Sequence, residues 1–212
     1  MTATHDPITS HPLTADHDAA PSELEVLETA VRELAIAHGL FSAADHRQWL
    51  EWMDAAQPAL GARLVARAWV DPEYRERALA NGTAAAQEIG IEMYDRDPLI
   101  VMANAPQVHN MVVCTLCSCY PRAVLGLPPD WYKSPSYRKR AVRWPRELLA
   151  EFGTFIPPEV DIHVHDSNAN MRYLVLPMRP AGTEGWTEEQ LAAIVTRDTM
   201  IGVAVPAPQL AS

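Results

Sequence analysis

The first part of the chain carries apolar residues at helical spacing. Between positions 22 and 39 they recur every three or four residues, which predicts an amphipathic helix with one apolar stripe. The stripe consists of Leu24, Leu27, Val31 and Leu34. Ser22 and Glu25 have the spacing of a capping box, and Gly39 supplies a C-terminal stop. These signals predict both ends of the helix.

Further helical patterns follow as far as residue 90, interrupted at Asn81 and Gly82. One begins at Ser42, and the others cover residues 63–69, 72–79 and 83–89. This region is rich in alanine, and its apolar stripes are too narrow to build a round core alone. We therefore expect residues 22–90 to form a helical arm that contacts a partner subunit. The polar, proline-containing residues 1–21 are expected to be a disordered tail.

After residue 90 the pattern changes to short apolar runs. Residues 99–102, 161–165, 171–178 and 200–205 have the pattern of strands. Thr187 and Gln190 form a second capping box, which begins a helix that extends to Thr196. Helices first and strands later indicate an α+β fold. Residues 91–208 are expected to form the second domain.

Composition limits the possible partners and location. The 212 residues suffice for one domain plus an arm, and 48% hydrophobic residues suffice for a core. A formal net charge of −10 argues against nucleic acid as a partner and fits a neutral or cationic small substrate. No apolar run approaches the roughly 20 residues that cross a membrane. The N-terminus lacks an apolar signal core, so we expect a cytoplasmic protein.

All three cysteines fall within six residues, and clustered soft thiolates are typical of a transition-metal site. If the sulfurs of Cys117 and Cys119 bind one ion, the amide nitrogens of Ser118 and Cys119 lie close to it. Cys114 can approach the ion from one side, which leaves the opposite side for water or substrate. Five protein donors and one open position describe a catalytic metal site. Ionised amides and thiolates favour trivalent cobalt or iron over zinc.

Other interpretations of these residues stay open. Structural zinc needs a fourth side-chain ligand, and only His109 is close in sequence. A thiol–disulfide redox site needs Cys114 and Cys117 but leaves the third cysteine unexplained. Separately, His163 and His165 share one face of a predicted strand and could bind metal, although the sequence offers no third ligand nearby.

The cysteine motif resembles that of the nitrile hydratase alpha subunit. The resemblance is carried by VCTLCSC at residues 113–119, VLGLPPDWYKS at 124–134, RYLVLP at 172–177 and RPAGTEG at 179–185. It implies a layered α-β-β-α core behind the helical arm. It also implies a cobalt(III) centre, because threonine at the place of Thr115 accompanies cobalt in that family, whereas serine accompanies iron(III). The metal ligands that it implies are Cys114, Cys117, Ser118 and Cys119.

The same resemblance implies an activity and partners. Residues 91–208 would be the catalytic domain of a hydro-lyase that converts a nitrile to its amide. In the family the middle cysteine becomes a sulfinic acid and the last a sulfenic acid, which here are Cys117 and Cys119, while Cys114 stays a thiolate. The catalytic residues would be Cys119, Cys117 and Ser118. The implied partners are beta-type subunits and a small activator protein for cobalt insertion. Some basic residues between 138 and 146 would hold a partner or form a solvated face.

One departure from the family pattern concerns the substrate. The family usually has Tyr-Pro-Trp-Pro after the cysteines, whereas Arg122 and Ala123 replace the last two residues here. Thr115 and Arg122 are expected to line the substrate pocket. The arginine favours a bulky polar nitrile, as in the three-subunit toyocamycin nitrile hydratase. The alternatives are a thiocyanate hydrolase, whose gamma subunit is related, and a non-catalytic cobalt-binding or interaction subunit.

Overall fold

The computed structural model describes residues 22–93, 98–117 and 119–208. The tail expected over residues 1–21 and the expected ligand Ser118 lie outside these described residues. The helices are α1 (Glu23–Ala37), α2 (Ala43–Ala55), α3 (Pro58–Val70), α4 (Pro72–Ala80), α5 (Gly82–Glu88), α6 (Arg122–Leu125), α7 (Asp130–Lys133), α8 (Pro135–Arg143), α9 (Pro145–Glu151), α10 (Glu188–Ala193) and α11 (Arg197–Ile201). The strands are β1 (Leu99–Ala103), β2 (Val108–Val113), β3 (Asp161–Asp166) and β4 (Arg172–Leu176). Among the helices in these ranges, none has the length and apolar character needed to cross a membrane.

The described residues separate into two compact units that divide between Trp49 and Leu50, inside α2. This division differs from the domain boundary that the sequence suggested at residue 90. The difference arises because α3 and α4 belong to the core of the second unit, where Leu64 and Tyr74 are fully buried. Their small alanine side chains allow close helix packing, although the apolar stripes look narrow in sequence.

In the first unit, α1 has the predicted amphipathic form and the predicted capping box. The Ser22 hydroxyl accepts a hydrogen bond from the Glu25 backbone N–H at 3.3 Å, and the Glu25 carboxylate accepts one from the Ser22 N–H at 2.7 Å. The chain turns beyond the helix at Gly39, whose φ is +71°. No residue of α1 is buried, and its whole apolar stripe is exposed.

In the second unit, two parallel strand pairs lie among the helices. β1 pairs with β4, and β2 pairs with β3. The register places Val113, the last residue of β2, opposite Asp166, the last residue of β3. Met111, Leu174 and other apolar strand residues are buried in one core with the helices. The mixed helices and strands confirm the α+β class.

Residues 200–205 are not the strand that the sequence predicted. Residues 200 and 201 end α11, which begins after Thr196, whose hydroxyl accepts a hydrogen bond from the Thr199 N–H at 3.3 Å. A short apolar run that is buried on all sides has no clear period, so a helix and a strand look alike there. Gly202 ends the helix with φ +87°, and a Cβ at this position would overlap the carbonyl oxygen of Asn110. This close approach places the end of α11 against β2, just before the cysteines.

Candidate metal centre

The cysteine loop, residues 114–119, begins where the β2–β3 pair ends. Cys114 directly follows Val113, and the Ser167 N–H donates to the Val113 carbonyl at 2.7 Å, which extends the strand pairing by one bond. Cys114 is fully buried, Cys119 is partly exposed and Cys117 is exposed. The loop therefore starts inside the core and leaves it within a few residues.

The three cysteine sulfurs lie close enough together to bind one ion. The Cys117 sulfur is 3.4 Å from that of Cys114 and 3.3 Å from that of Cys119, and all three lie within 4.8 Å of one another. All three are free thiols. Within the described ranges no histidine or carboxylate joins this group. His109, the fourth ligand that zinc would need, instead places its Nε2 2.7 Å from the Gly202 carbonyl oxygen.

Ionisation of these thiols requires a compensating cation. Burial, then the hydrogen bond with Cys117 and the charge of Cys114, together raise the pKa of Cys119 to about 12, and the charge of Arg172 opposes this shift. Three thiolates at this separation repel one another, so the charged form is stabilised when a multivalent ion binds between them. The donor set and its electrostatics thus fit a soft, highly charged metal ion.

Asp166 anchors the cysteine loop from the neighbouring strand. Its carboxylate accepts a hydrogen bond from the Thr115 N–H at 2.9 Å and another from the Thr115 hydroxyl at 2.5 Å. The register of β2 and β3 delivers this carboxylate to the loop. Sequence reasoning missed Asp166, although an acidic residue at the end of a predicted strand is a usable signal. The sequence pattern does not indicate that β3 pairs with β2, and this pairing brings Asp166 to the loop.

Two buried tyrosines hold the cysteine loop and the strand that precedes it. The Tyr132 hydroxyl donates to the carbonyl oxygen of Cys119 at 2.9 Å, and the Tyr137 hydroxyl donates to that of Val112 at 2.7 Å. Burial raises the pKa of both phenols, so both remain protonated donors. Tyr120 packs edge-on against Tyr132 at a centroid distance of 5.1 Å. Both ends of the loop are therefore fixed by aromatic side chains that sequence reasoning did not single out.

The two-histidine metal site considered from the sequence does not form. His165 has its Nε2 2.7 Å from the Asn110 side-chain oxygen, and its ring lies 5.2 Å from that of Tyr173. Burial, followed by the charge of His163, lowers the pKa of His165. The residue is thus a neutral hydrogen-bonding group within the strand layer. The described residues offer these histidines no third ligand.

The two residues expected in the substrate pocket lie in different surroundings. Thr115 is exposed and lines a cavity of about 430 Å³ beside the cysteine loop. Arg122 is exposed at the first position of α6, while Ala123 beside it is buried. Arg122 does not line that cavity.

Three free thiols lie at the end of a parallel strand pair, and the described part of the chain offers them no fourth side-chain ligand. This arrangement defines a protein with a three-thiolate metal centre. Comparison with known proteins narrows this class. The chain belongs to the family of the nitrile hydratase alpha chain, whose sequence profile matches residues 22–204. The family resemblance inferred from the cysteine motif is therefore confirmed.

Individual relatives come from two branches of this family. The chain is 54% identical over 198 residues to the thiocyanate hydrolase subunit gamma of Thiobacillus thioparus, covering 88% of this chain and 82% of the relative. It is 53% identical over 186 residues to the low-molecular weight cobalt-containing nitrile hydratase subunit alpha of Rhodococcus rhodochrous, covering 87% and 89%. A solved structure of recombinant thiocyanate hydrolase comprising partially modified cobalt centres matches with a TM-score of 0.85 at 52% identity, covering 90% of this chain and 93% of that one.

Proposed function

We propose that this chain is the metal-binding catalytic subunit of a cobalt-containing nitrile hydratase that works as a heteromer with beta-type subunits. The observation that carries the proposal is the cluster of three cysteine sulfurs within 4.8 Å of one another. Relatives whose names include cobalt, from both branches of the family, support this metal over iron. We place the complex in the cytoplasm, with a small activator protein for cobalt insertion.

The metal would be held by the sulfurs of Cys114, Cys117 and Cys119 and by the amide nitrogens of Ser118 and Cys119. When bound, cobalt(III) supplies Lewis acidity toward the nitrile or toward a water molecule. The contributions of this chain are to hold the ligands in place and to supply a base. Asp166 fixes the backbone of the loop through Thr115.

The three cysteines would differ in oxidation, and their exposure supports this assignment. Cys114 is fully buried and would remain a thiolate, whereas Cys117 and Cys119 are accessible to an oxidant and would become a sulfinic and a sulfenic acid. The sulfenate oxygen of Cys119 would act as nucleophile or base toward the nitrile. Addition of one water to the carbon–nitrogen triple bond then gives the amide, with both water protons retained in the product.

The substrate that we propose is a bulky polar nitrile of nucleoside-like character. Arg122 carries this assignment, because its planar guanidinium can donate to hydroxyls or ring nitrogens. A second candidate is thiocyanate, and one observation favours it. Thr115 opens into a cavity whose lining includes three cationic side chains, which would attract an anion. A non-catalytic cobalt-binding role is less favoured, because it gives no function to the one position of the metal that the five protein donors leave open.

The test combines metal analysis, peptide mass spectrometry and a substrate panel on the complex assembled with its beta-type subunits. We expect stoichiometric cobalt, unequal oxygenation of Cys117 and Cys119, and faster turnover of a bulky polar nitrile than of acetonitrile or thiocyanate. The variant Ser118→Pro removes an amide proton and should lose cobalt, whereas the matched variant Ser118→Ala keeps that proton and should retain the metal.

Four results would count against the proposal. Stoichiometric zinc without cobalt would contradict the assignment of cobalt. Full activity with three unmodified cysteines would contradict a catalytic role for the sulfenate of Cys119. Faster release of carbonyl sulfide from thiocyanate than of amide from any nitrile would establish the second candidate. The variant Arg122→Trp should reduce the preference for polar nitriles, and an unchanged substrate profile would place Arg122 outside the pocket.

A further inference from the structure

A continuous chain of side-chain hydrogen bonds lies in the strand layer that precedes the cysteine loop. Its centre is Asn110 of β2, which is only 2% exposed. The Asn110 Nδ2 donates to the Ala103 carbonyl oxygen at 2.8 Å and to the Asn104 Oδ1 at 3.0 Å. The Asn110 Oδ1 accepts a hydrogen bond from the His165 Nε2 at 2.7 Å. One buried amide therefore connects β1, β2 and β3, although the two strand pairs are separate sheets.

The donors and acceptors of this chain determine the state of His109. The Asn104 Oδ1 accepts from both the backbone N–H and the Nδ2 of Asn110, which leaves the Asn104 Nδ2 for the His109 ring. This Nδ2 lies 3.4 Å from the His109 Nδ1, which must be the acceptor because an amide NH₂ only donates. The His109 Nε2 then carries the hydrogen and donates to the Gly202 carbonyl oxygen at 2.7 Å. The network thus assigns His109 one neutral tautomer, and burial, which lowers its pKa, favours the same state.

No member of the chain can change its state alone without bringing two like groups together. A reversed Asn110 amide would place its NH₂ against the His165 donor and its oxygen against two other oxygens. A protonated His109 would place a second hydrogen, on Nδ1, against the Asn104 Nδ2. Buried polar groups that lose their partners cost free energy, so the chain is stable in one arrangement.

Both ends of the chain reach elements that hold the cysteine loop. His165 directly precedes Asp166, whose carboxylate accepts hydrogen bonds from the backbone and hydroxyl of Thr115. If β3 shifts relative to β2, this carboxylate moves away from Thr115, because the register sets its position. At the other end, Gly202 belongs to the end of α11 that lies against β2. Residues that orient metal ligands from outside typically change metal affinity by roughly 10- to 100-fold.

We propose that Asn110 is a positioning residue of the metal centre, an inference that rests on the metal-binding role in the proposed function. Asn110 fixes His165 and therefore holds β3 where Asp166 reaches Thr115 and keeps the three sulfurs in range of one ion. Asn104 and His109 act through Asn110, because they fix the orientation of its amide. None of the side-chain hydrogen bonds of Asn110 goes to the cysteine loop, so its influence on the metal is indirect.

The first test measures the affinity of the full, metal-free chain for Co²⁺, followed by the thiolate-to-cobalt absorption. Asn110→Leu keeps the size of the side chain but removes its hydrogen bonds. It should weaken Co²⁺ binding about tenfold and reduce the amide-exchange protection of Thr115. The matched control is Thr154→Val, which removes a buried hydrogen bond of 2.7 Å to the Val203 carbonyl, outside the chain. The control should lose stability in urea but keep its Co²⁺ affinity. An unchanged affinity in Asn110→Leu, or an equal loss in the control, would overturn the proposal.

A second pair of variants decides the question if circular dichroism shows Asn110→Leu unfolded. His165 is only partly buried. His165→Gln keeps an N–H donor at the place of Nε2 and should keep the Co²⁺ affinity within about twofold, whereas His165→Leu has no donor and should lose about tenfold. Equal affinities of these two variants would mean that the hydrogen bond to Asn110 does not position the centre, and the proposal would be wrong.

A third test examines the direction of the hydrogen bonds by NMR titration of His109. Asn104→Asp places a carboxylate oxygen opposite the His109 Nδ1 and should raise the pKa above its ordinary value of 6.5, whereas the wild-type pKa should lie below that value. An unchanged pKa would contradict the chain that fixes Asn110. Because the Co²⁺ titrations need no turnover, a chain that holds zinc in cells would contradict the proposed function and leave this inference standing. An active enzyme with unchanged Co²⁺ affinity in Asn110→Leu would overturn only this inference.

Discussion

The two units use the same kind of amphipathic helix in opposite ways. In the first unit no residue of α1 is buried, and Leu27 and Leu34 are 58% and 60% exposed. In the second unit most of the apolar face of α3 is buried, and Leu64 and Val65 are inaccessible to solvent. An apolar stripe in a sequence therefore predicts a helix face that becomes buried, but the element that buries it can belong to another chain. This contrast supports the proposal that the first unit contacts a partner subunit.

The largest expected effect is on folding stability. Leu64→Ala removes a fully buried side chain and should lower the free energy of unfolding by about 3 kcal/mol. The matched variant Leu27→Ala in exposed α1 should change it by less than about 0.5 kcal/mol in the isolated chain. Urea unfolding of both variants measures the difference. Similar losses would mean that the stripe of α1 is already covered within the chain.

A second pair of variants compares glycines of similar conformation. Gly202 and Gly39 both have positive φ, but a Cβ at Gly202 would overlap the Asn110 carbonyl, whereas a Cβ at Gly39 meets nothing within 4 Å. Gly202→Ala should cost about 3 kcal/mol from strain plus overlap, and Gly39→Ala about 1 kcal/mol from strain alone. Thermal unfolding measures both variants. Equal costs would show that the contact of α11 with β2 does not constrain Gly202.

The interface role of the first unit gives the third comparison. Leu27→Ala with Leu34→Ala should weaken binding of the beta-type subunit by about tenfold while leaving the stability of the isolated chain nearly unchanged. The matched control is Glu33→Ala with Arg47→Ala, two exposed polar positions of the same unit. Titration calorimetry with the purified subunit measures both pairs. An unaltered affinity for the leucine variant would remove α1 from the interface.

The smallest effect concerns the two capping boxes and pH. The backbone and side chain of Ser22 hold the pKa of Glu25 below its ordinary value of 4.5. A lowered folded-state pKa contributes stability that is present above the unfolded-state value and is lost as pH falls through the folded-state pKa. The start of α1 should therefore lose amide-exchange protection in acid, measured as the exchange rate divided by the intrinsic rate at the same pH. Helix α10 has the same box built with neutral Gln190, but the pKa of its Glu189 is also lowered, so the matched control is the variant Glu25→Gln in α1, which should show no such change. Equal acid sensitivity in this variant would exclude Glu25 as the cause.

Sequence reasoning succeeded where the determining contacts are local. The Ser22 and Thr187 capping boxes each span four residues, and the sulfur cluster spans six, so their chemistry is visible in the sequence. The strand predicted at residues 200–205 was wrong, because residues buried on all sides show no hydrophobic period that distinguishes a helix from a strand. It also missed Asp166 and Tyr132, because their contacts with the cysteine loop depend on strand register and helix placement.

The parallel pairing of β2 with β3 also determines when the metal centre can form during folding. Thr115 and Asp166 are 51 positions apart in the sequence, so their hydrogen bonds require closure of the entire intervening chain. Contacts of such long range form late, since the entropy of loop closure must be overcome first. The cysteines emerge from the ribosome well before their anchoring carboxylate does. A newly made chain therefore passes through an interval in which three reactive thiols are present without their scaffold, and cobalt delivery is most productive after that interval has ended.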